Sequence, residues 1–281
     1  MPELPEVETV MRGLEPALLN AEIKSAQTRR KDLRIPFPKN LKTVLEGNRV
    51  IRLHRRAKYI LITFKTGDVL VIHLGMSGRV FITDDKGYQY QKHDHFIIET
   101  YAGTQIIYND TRRFGMIFLV KETDIESHSS FRGLGPEPLG NDFNAPALKE
   151  RLKGKKSSIK QALLDQRVVA GLGNIYVCEA LYGAGISPTV VAGSISLPRL
   201  EKLVPEIKKV LKRAIKAGGS TLKDYRHADG ELGYFQHSFK VYDQEETICP
   251  KCIKNGYNSA CVRRIVQSGR STFYCRRTQK R

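Results

Sequence analysis

The first six residues, Met1-Pro2-Glu3-Leu4-Pro5-Glu6, place a candidate nucleophile beside a candidate proton donor. If Met1 is removed, Pro2 becomes the N-terminus and its nitrogen is a secondary amine. An α-amine has a pKa near about 8, so a useful fraction is unprotonated at neutral pH. Such amines attack sugar and carbonyl carbons to form Schiff bases, and Glu3 could supply the acid or base that this chemistry needs. The alternative is structural, because proline also suits the first turn of a helix.

A strongly basic composition indicates a polyanionic partner. The chain of 281 residues carries 47 Lys and Arg against 29 Asp and Glu, which gives a formal net charge of +18. This excess is beyond what solubility requires and favours nucleic acid. A membrane surface fits less well, because no segment has the pattern of a basic amphipathic anchor. With no apolar run of about 18 residues and no signal-like segment, we expect a cytoplasmic protein that meets the nucleoid through DNA.

The hydrophobic pattern predicts an α+β protein. Apolar residues at helical spacing predict a first helix over 5–18, whose buried stripe would hold the N-terminus against a core. Short runs rich in Ile, Val, Phe and Tyr then predict a β-sandwich. Its predicted strands are 49–54, 59–65, 69–74, 80–83, 96–101, 104–108 and 116–120. After a connector at 121–146, the predicted helices are 147–152, 158–164, 174–184 and 197–217.

Two turns in the predicted sandwich carry residues suited to DNA. Lys58 belongs to the basic segment 55–59 just before a strand, although a solvated basic face is the alternative. Met76 ends a strand in the glycine-flanked segment 73–78. Met is usually a core residue, but an exposed one could act as a wedge that separates stacked bases.

A third loop pairs cations with one aromatic residue. In the segment 109–115, Arg112 could fill a gap left in a duplex and Phe114 could stack on a base. The alternative is an ordinary surface turn in which Phe114 folds inward. These readings predict different exposures for the Phe114 ring, so a structure separates them.

Two later segments could bind phosphate. In 171–176, two glycines precede a predicted helix, so its free N–H groups could approach a phosphate and Asn174 could either cap the helix or contact that phosphate. Near the end of the chain, predicted strands 265–267 and 271–274 flank a turn that would carry Arg270 outward.

Clustered cysteines predict a metal site. Four of the five fall within 249–275, and in a cytoplasmic protein such clustering indicates a metal more than disulfides. Cys249-Pro250-Lys251-Cys252 has the spacing of a zinc knuckle. The fifth, Cys178, lies among apolar residues on a predicted helix and is expected in the core.

Taken together, these segments closely resemble bacterial formamidopyrimidine-DNA glycosylase over nearly the whole chain. The segments that carry the resemblance are 1–6, the block around Lys58, and 73–78, 112–115, 171–176 and 267–275. The resemblance implies a β-sandwich domain at 1–130, a linker at 131–146, a helix–two-turn–helix domain at 147–238 and a zinc-finger β-hairpin at 239–281. It also implies that the loop at 219–225 folds over the damaged base.

This resemblance implies a bifunctional base-excision enzyme that takes oxidised purines, such as 8-oxoguanine and formamidopyrimidines, out of duplex DNA. Pro2 would attack the sugar C1′ and form a Schiff base, Glu3 would donate a proton, and Lys58 would contact phosphate and assist catalysis. β,δ-Elimination would then cut the strand, with no redox or organic cofactor. By the same resemblance, the gap left by the base is filled by Met76, Arg112 and Phe114. The residues implied to bind DNA are His93, Asn174, Lys160 and Arg270, and Arg270 is also counted in the catalytic group. The resemblance implies a monomer on double-stranded DNA.

The predicted finger departs from the family's two Cys-x-x-Cys pairs. Its second pair reads Cys275-Arg-Arg-Thr278, and threonine is a poor zinc ligand. Cys261 could complete a set with Cys249, Cys252 and Cys275, and on that hypothesis we expect one structural zinc ion. Otherwise the hairpin persists with weak metal affinity or none.

Three other functions compete with this one. Endonuclease VIII shares the layout but prefers oxidised pyrimidines; Leu4, the continuation 7–9 and the long loop after Gly219 favour the purine enzyme. A non-catalytic damage-recognition protein would need neither Pro2 nor Glu3. A general nucleic-acid binder, such as a ribosomal protein, would seldom carry this ordered set of loops.

Overall fold

The structure is a computed structural model that describes residues 2–220 and 233–280. Contacts within the chain divide it into two compact units, Met1–Arg132 with Ala217–Tyr234, and Gly133–Lys216 with Phe235–Arg281. The predicted lesion loop at 219–225 therefore falls on residues of which only 219 and 220 are described. No helix in the described ranges is both long and apolar enough to cross a membrane.

The first unit contains the N-terminal helix and eight strands. In chain order its elements are α1 (Leu4–Leu18), β1 (Ile23–Thr28), α2 (Leu41–Leu45), β2 (Val50–Arg56), β3 (Tyr59–Phe64), β4 (Asp68–His73), β5 (Gly78–Thr83), β6 (Asp94–Thr100), β7 (Gln105–Asp110) and β8 (Met116–Lys121). Two antiparallel sheets result, ordered β1-β6-β7-β5 and β2-β3-β4-β8. The predicted β-sandwich is confirmed.

Helix α1 and the inner faces of both sheets share one apolar core. The buried stripe of α1 runs through Val7, Val10 and Leu14, which have at most 1% of their surface exposed. Residues of β3, β4, β6 and β7 complete the same cluster, including Ile60, Ile72, Phe96, Ile106 and Tyr108. Because this packing removes apolar surface from water, it fixes the start of α1 against the sandwich.

The seven strands predicted in this unit lie within about two residues of their observed bounds, but β1 and α2 were not predicted. β1 is an edge strand of the sequence IKSAQT with only Ile23 and Ala26 buried, so it lacks a clear alternating apolar pattern. α2 is only five residues long, which is too short to show helical periodicity.

The second unit holds the remaining helices and the C-terminal hairpin. Its elements are α3 (Ala145–Leu152), α4 (Ile159–Leu164), α5 (Asn174–Ala184), α6 (Leu197–Lys216), α7 (Pro250–Lys254), β9 (Val262–Gln267) and β10 (Arg270–Cys275). The four helices predicted here are present and α7 was not predicted. Strands β9 and β10 pair antiparallel across Ser268 and Gly269, whose positive φ values of 48° and 72° form a tight two-residue turn.

A buried carboxylate anchors the chain where it enters the cysteine-rich segment. Glu179 on α5 is 6% exposed and accepts hydrogen bonds from the backbone N–H groups of Lys240, Val241 and Tyr242 at 2.9–3.0 Å. Burial raises the pKa of Glu179, although these hydrogen bonds oppose the shift. Cys178 on the same helix is 1% exposed and packs beside the other cysteines, as expected for a core residue.

Candidate active site and DNA-contact residues

A buried carboxylate fixes the N-terminal segment. Pro2 is buried, and Glu3 is 4% exposed at the N-cap of α1. The Glu6 carboxylate, 2% exposed, accepts from the Glu3 N–H at 2.9 Å through Oε2. Its Oε1 accepts from the backbone N–H and the hydroxyl of Ser220, at 2.8 and 3.0 Å. Glu6 therefore ties the predicted catalytic residues to the described start of the predicted lesion loop.

An ion pair joins the same helix to the turn that carries Lys58. Ala57 and Lys58 form the turn between β2 and β3, with Ala57 at a φ of 52°. Arg55 donates to the Ala57 carbonyl at 2.9 Å and to Glu8 on α1 at 2.8 Å. With 8% of the Arg55 side chain and 13% of the Glu8 side chain exposed, this pair is better shielded from solvent than an ordinary surface pair. The Glu3 end of α1 and the Lys58 turn are thus held by one helix.

His73, at the end of β4, is a neutral neighbour of Lys58. Burial, followed by the charges of Lys58 and Arg34, lowers the pKa of His73 to about 4. Its Nδ1 accepts from the Gly75 N–H at 3.1 Å, as a neutral ring can. The ring also packs on Tyr59, with centroids 4.8 Å apart. His73 therefore shapes the start of the Met76 loop without adding charge at neutral pH.

The Met76 and Phe114 loops touch each other at the edge of the sandwich. Met76 is half-buried, whereas the Phe114 ring is 45% exposed with the Arg112 guanidinium 4.9 Å from its centroid. A Cβ on Gly75 would lie 2.4 Å from the backbone carbon of Phe114, so only glycine allows this approach. The inward-folded alternative for Phe114 is wrong, because 45% of the residue's surface is exposed.

His93 precedes β6 and is half-buried, with its ring centroid 6.0 Å from that of His95. Its carbonyl accepts from the Asp110 N–H at 3.0 Å. The first unit therefore carries the predicted residues Pro2, Glu3, Lys58, Met76, His93, Arg112 and Phe114.

In the second unit, Asn174 and Arg270 flank one backbone carbonyl. Asn174 is the first residue of α5, after an N-cap at Gly173, and its Nδ2 donates to the Ser271 carbonyl at 2.9 Å. Its Oδ1 is buried and has no hydrogen-bond partner among the described residues. Arg270 is exposed at the hairpin turn, next to Ser271. The helix start and the hairpin tip are thus one connected surface.

Lys160 does not reach that surface. Its side chain is 0% exposed, and its Nζ donates to the Ser271 carbonyl at 3.0 Å and to the Thr272 hydroxyl at 2.6 Å. The prediction of a direct DNA contact by Lys160 is therefore not supported. A buried ammonium group must donate hydrogen bonds to nearby acceptors. Here those hydrogen bonds attach the hairpin to α4.

Four cysteines converge at the base of the hairpin. The Sγ atoms of Cys249, Cys252, Cys261 and Cys275 all lie within 4.8 Å of one another, and all four residues are fully buried. The Cys252 and Cys275 sulfurs are 3.6 Å apart. A tetrahedral ion with Zn–S bonds of about 2.3 Å requires sulfurs about 3.8 Å apart, so the cluster fits such an ion. The predicted grouping of Cys261 with the other three is confirmed.

Thr278, which stands where the family pattern has a cysteine, contacts the cluster through its backbone. The Thr278 backbone N–H points at the Cys275 Sγ at 3.4 Å, and the Cys249 N–H points at the Cys261 Sγ at 3.1 Å. N–H groups directed at thiolates are typical of the outer shell of metal sites. Thr278 therefore contacts the cysteine cluster through its backbone N–H.

Sequence reasoning missed the residues that position the others. Glu6, Ser77, Asp110 and Ser271 each hold a backbone or side chain next to a predicted site residue. Glu6 has the capping-box spacing from Glu3, but its bonds to Ser220, like those of Ser77, Asp110 and Ser271, join residues far apart in sequence. Only the occurrence of Asp110 beside Arg112 in a short loop was a possible signal.

The pH dependence of stability should contain a contribution from His73. Its pKa is about 4 in the folded chain and 6.5 ordinarily, so between these values the unfolded chain binds more protons. The free energy of unfolding therefore falls as the pH drops from 6.5 towards 4, for this group by up to about 3 kcal/mol. In His73→Asn, whose amide oxygen can still accept from Gly75, urea unfolding at pH 7 and pH 5 should differ less than in the wild type. An unchanged difference would contradict this assignment.

Comparison with known proteins agrees with this geometry. Residues 1–117 match the model of the formamidopyrimidine-DNA glycosylase N-terminal domain, and residues 134–226 match that of the formamidopyrimidine-DNA glycosylase H2TH domain. Proteins named formamidopyrimidine-DNA glycosylase from Dinoroseobacter shibae and Ruegeria pomeroyi are 53% and 52% identical, each over the full length of both chains. Lactococcus lactis Fpg, solved with DNA containing an abasic site, superposes with a TM-score of 0.89 at 32% identity and complete coverage of both chains. The chain therefore belongs to the formamidopyrimidine-DNA glycosylase family.

Proposed function

We propose that this protein excises oxidised purines from duplex DNA and then cleaves the strand at the resulting abasic site. The observation that carries the proposal is the buried Pro2–Glu3 pair at the start of α1, held by Glu6. Support comes from the Lactococcus lactis relative, which has been solved with DNA containing N7-benzyl-Fapy-dG and with DNA containing an abasic site. The same relative has also been solved with an oxidised pyrimidine, so the preference for purines needs its own test.

The chemistry begins at Pro2 once Met1 has been removed. The nitrogen lone pair forms a bond to C1′, while the glycosidic bond breaks and its electron pair leaves with the base, which takes up a proton. The attached nitrogen then loses its proton, and opening of the C1′–O4′ bond, with proton donation from Glu3 to O4′, gives an iminium ion. Loss of a C2′ proton then expels the 3′ phosphate, and a second elimination expels the 5′ phosphate. In this scheme Lys58 contacts phosphate and assists the steps at the sugar.

In this proposal, one group of residues fills the gap in the base stack and another group contacts the backbone phosphates. Taking a base out of the stack costs a few kcal/mol, and side chains that enter the gap offset that cost. Met76, Arg112 and Phe114 fill this role in the proposal, and the exposed Phe114 ring supports it. His93, Asn174 and Arg270 contact backbone phosphates, with Arg270 placed outward on the hairpin turn. The protein acts as a monomer on double-stranded DNA.

The four-cysteine cluster holds one zinc ion in this proposal. Four buried thiolates are the donor set of a closed structural site, which stabilises the fold and leaves no position open for substrate. The ion would join α7, the segment around Cys261 and the end of β10, so that the base of the hairpin is fixed.

The substrate class can be tested with three matched duplexes. We expect cleavage of duplexes containing 8-oxoguanine or formamidopyrimidine, with much slower cleavage of one containing thymine glycol. Both ends of the gap should carry phosphate, as β,δ-elimination requires. Preference for thymine glycol would favour the endonuclease VIII alternative, and binding without cleavage of any duplex would favour a damage-recognition protein.

The hairpin arginine and the buried lysine should respond differently to salt. Arg270→Ala should weaken DNA binding and reduce the slope of log K against log salt by about one unit, because one phosphate contact is lost. Lys160→Met keeps an apolar stem in a buried position and should leave that slope unchanged, while lowering the stability of the chain. Equal loss of slope in both variants would show that Lys160 reaches phosphate after all.

Zinc content should depend on Cys261. The purified protein should contain about one zinc per chain, and Cys261→Ser and Cys275→Ser should lower this value sharply. Cys178→Ser, a buried cysteine outside the cluster, and Thr278→Ala are matched controls that should retain the metal. Full zinc in Cys261→Ser, or none in the wild type, would contradict the four-cysteine site.

A further inference from the structure

We propose that Asp110 is a positioning residue that sets the spacing of three DNA-contact segments, those of His93, Met76 and Arg112 with Phe114. The proposal rests on the function proposed above and deepens it. Asp110 is the last residue of β7, is 0% exposed, and contacts no DNA in this scheme. It acts through the segments that it holds.

The Asp110 carboxylate connects the Met76 loop to the Phe114 loop. Its Oδ1 accepts from the Ser77 hydroxyl at 2.6 Å, and the oxygen of that hydroxyl accepts from the Arg112 N–H at 3.0 Å. Its Oδ2 accepts from the Gly115 N–H at 2.8 Å and from the Tyr108 hydroxyl at 3.3 Å. One side chain therefore fixes a residue next to Met76 and both ends of the Arg112–Phe114 segment.

The Asp110 backbone adds the third segment. Its N–H donates to the His93 carbonyl at 3.0 Å, and its carbonyl faces His95 Nε2 at 2.9 Å. Burial lowers the pKa of His95, so at neutral pH its ring is uncharged and Nε2–H is the donor to that carbonyl. All four polar atoms of Asp110 thus have a hydrogen-bond partner. The N–H reaches His93 itself, and Oδ1 reaches Ser77, the residue next to Met76.

Energetics explain why a carboxylate is kept here. The donors to the Asp110 carboxylate are the Ser77 hydroxyl, the Gly115 N–H and the Tyr108 hydroxyl, none of which carries a charge. Burial and the Asp110 charge raise the pKa of Tyr108 well above its ordinary value, which keeps the phenol protonated as a donor. A buried, unpaired carboxylate costs stability compared with an apolar residue of the same size. It does supply two oxygens that accept several donors at once, which an apolar side chain cannot.

A side chain that enters a base stack must be held at a fixed height relative to its neighbours, because small misplacements cost much of the rate. Gly75 and Gly115 let the two loops approach, since a Cβ on Gly115 would lie 1.6 Å from the Tyr108 hydroxyl. Loops this close together also need an interaction that holds them in place. The hydrogen bond from the Ser77 hydroxyl to the Asp110 carboxylate provides it. Loss of that link should impair base eversion in a duplex more than chemistry at an exposed abasic site.

The test uses Ser77→Ala, Asp110→Asn and Met76→Ala in the full-length protein. Thr100→Ala is a matched control, because Thr100 is a buried hydroxyl residue at the opposite end of β6 from His93. Three quantities are measured: excision of 8-oxoguanine in a duplex, cleavage of an abasic site in a single strand, and fluorescence of 2-aminopurine beside the lesion, which rises when the base unstacks.

We expect Ser77→Ala and Asp110→Asn to lose about tenfold or more in the duplex rate, as Met76→Ala should, with single-strand cleavage within about twofold of the wild type. The 2-aminopurine signal should fall in the same variants and persist in Thr100→Ala. If Asp110→Asn does not fold, Ser77→Ala decides alone. Equal losses on both substrates, or full duplex activity, would overturn the positioning role. A wild type that unstacks 2-aminopurine without cleaving any substrate would instead overturn the proposed chemistry and leave the fluorescence comparison decisive for Asp110.

Discussion

The hydrogen bonds accepted by the Glu6 carboxylate are the constraint on which the proposed catalysis depends. A chain terminus normally frays, and a mobile amine would be a poor nucleophile because it rarely meets the reacting carbon in the right orientation. Here the apolar stripe of α1 is buried, and Glu6 ties the Glu3 N–H to Ser220. Glu8 and Arg55 extend the same helix to the Lys58 turn. The backbone N–H of Glu3, next to Pro2, is therefore fixed by a buried carboxylate.

Two hydrogen-bond acceptors lie next to predicted DNA contacts. Asp110 links the loops of the first unit, and the Ser271 carbonyl receives Asn174 and Lys160 in the second. Asp110 is fully buried and Ser271 is partly buried, whereas residues proposed to meet DNA, such as Phe114 and Arg270, are exposed. This division is physically reasonable, because a cation must stay exposed to reach phosphate while the group that orients its loop gains strength from burial.

The sequence predicted most of the helices and strands, but not the residues that support the predicted site from below. Periodicity identified α1, α5 and the sandwich strands, since each buries a regular apolar face. Periodicity missed β1, whose exposed edge carries little pattern. The family resemblance assigned Lys160 to DNA binding, although its side chain is buried. Neither Lys160 nor Asp110 could be assigned correctly, because their partners lie far away in sequence, as the contact of Lys160 with Thr272 illustrates. Grouping Cys261 with the other cysteines succeeded because zinc chemistry limits the possible ligands.

Peptide mapping of a reduced covalent complex tests the central claim most directly. The protein is incubated with duplex DNA containing an abasic site, treated with borohydride and digested, and the DNA-linked peptide is identified by mass spectrometry. We expect the sugar remnant to be attached to the peptide that begins at Pro2, with Met1 absent. A remnant on Lys58 or on any other lysine, or a trapped chain that still carries Met1, would contradict it.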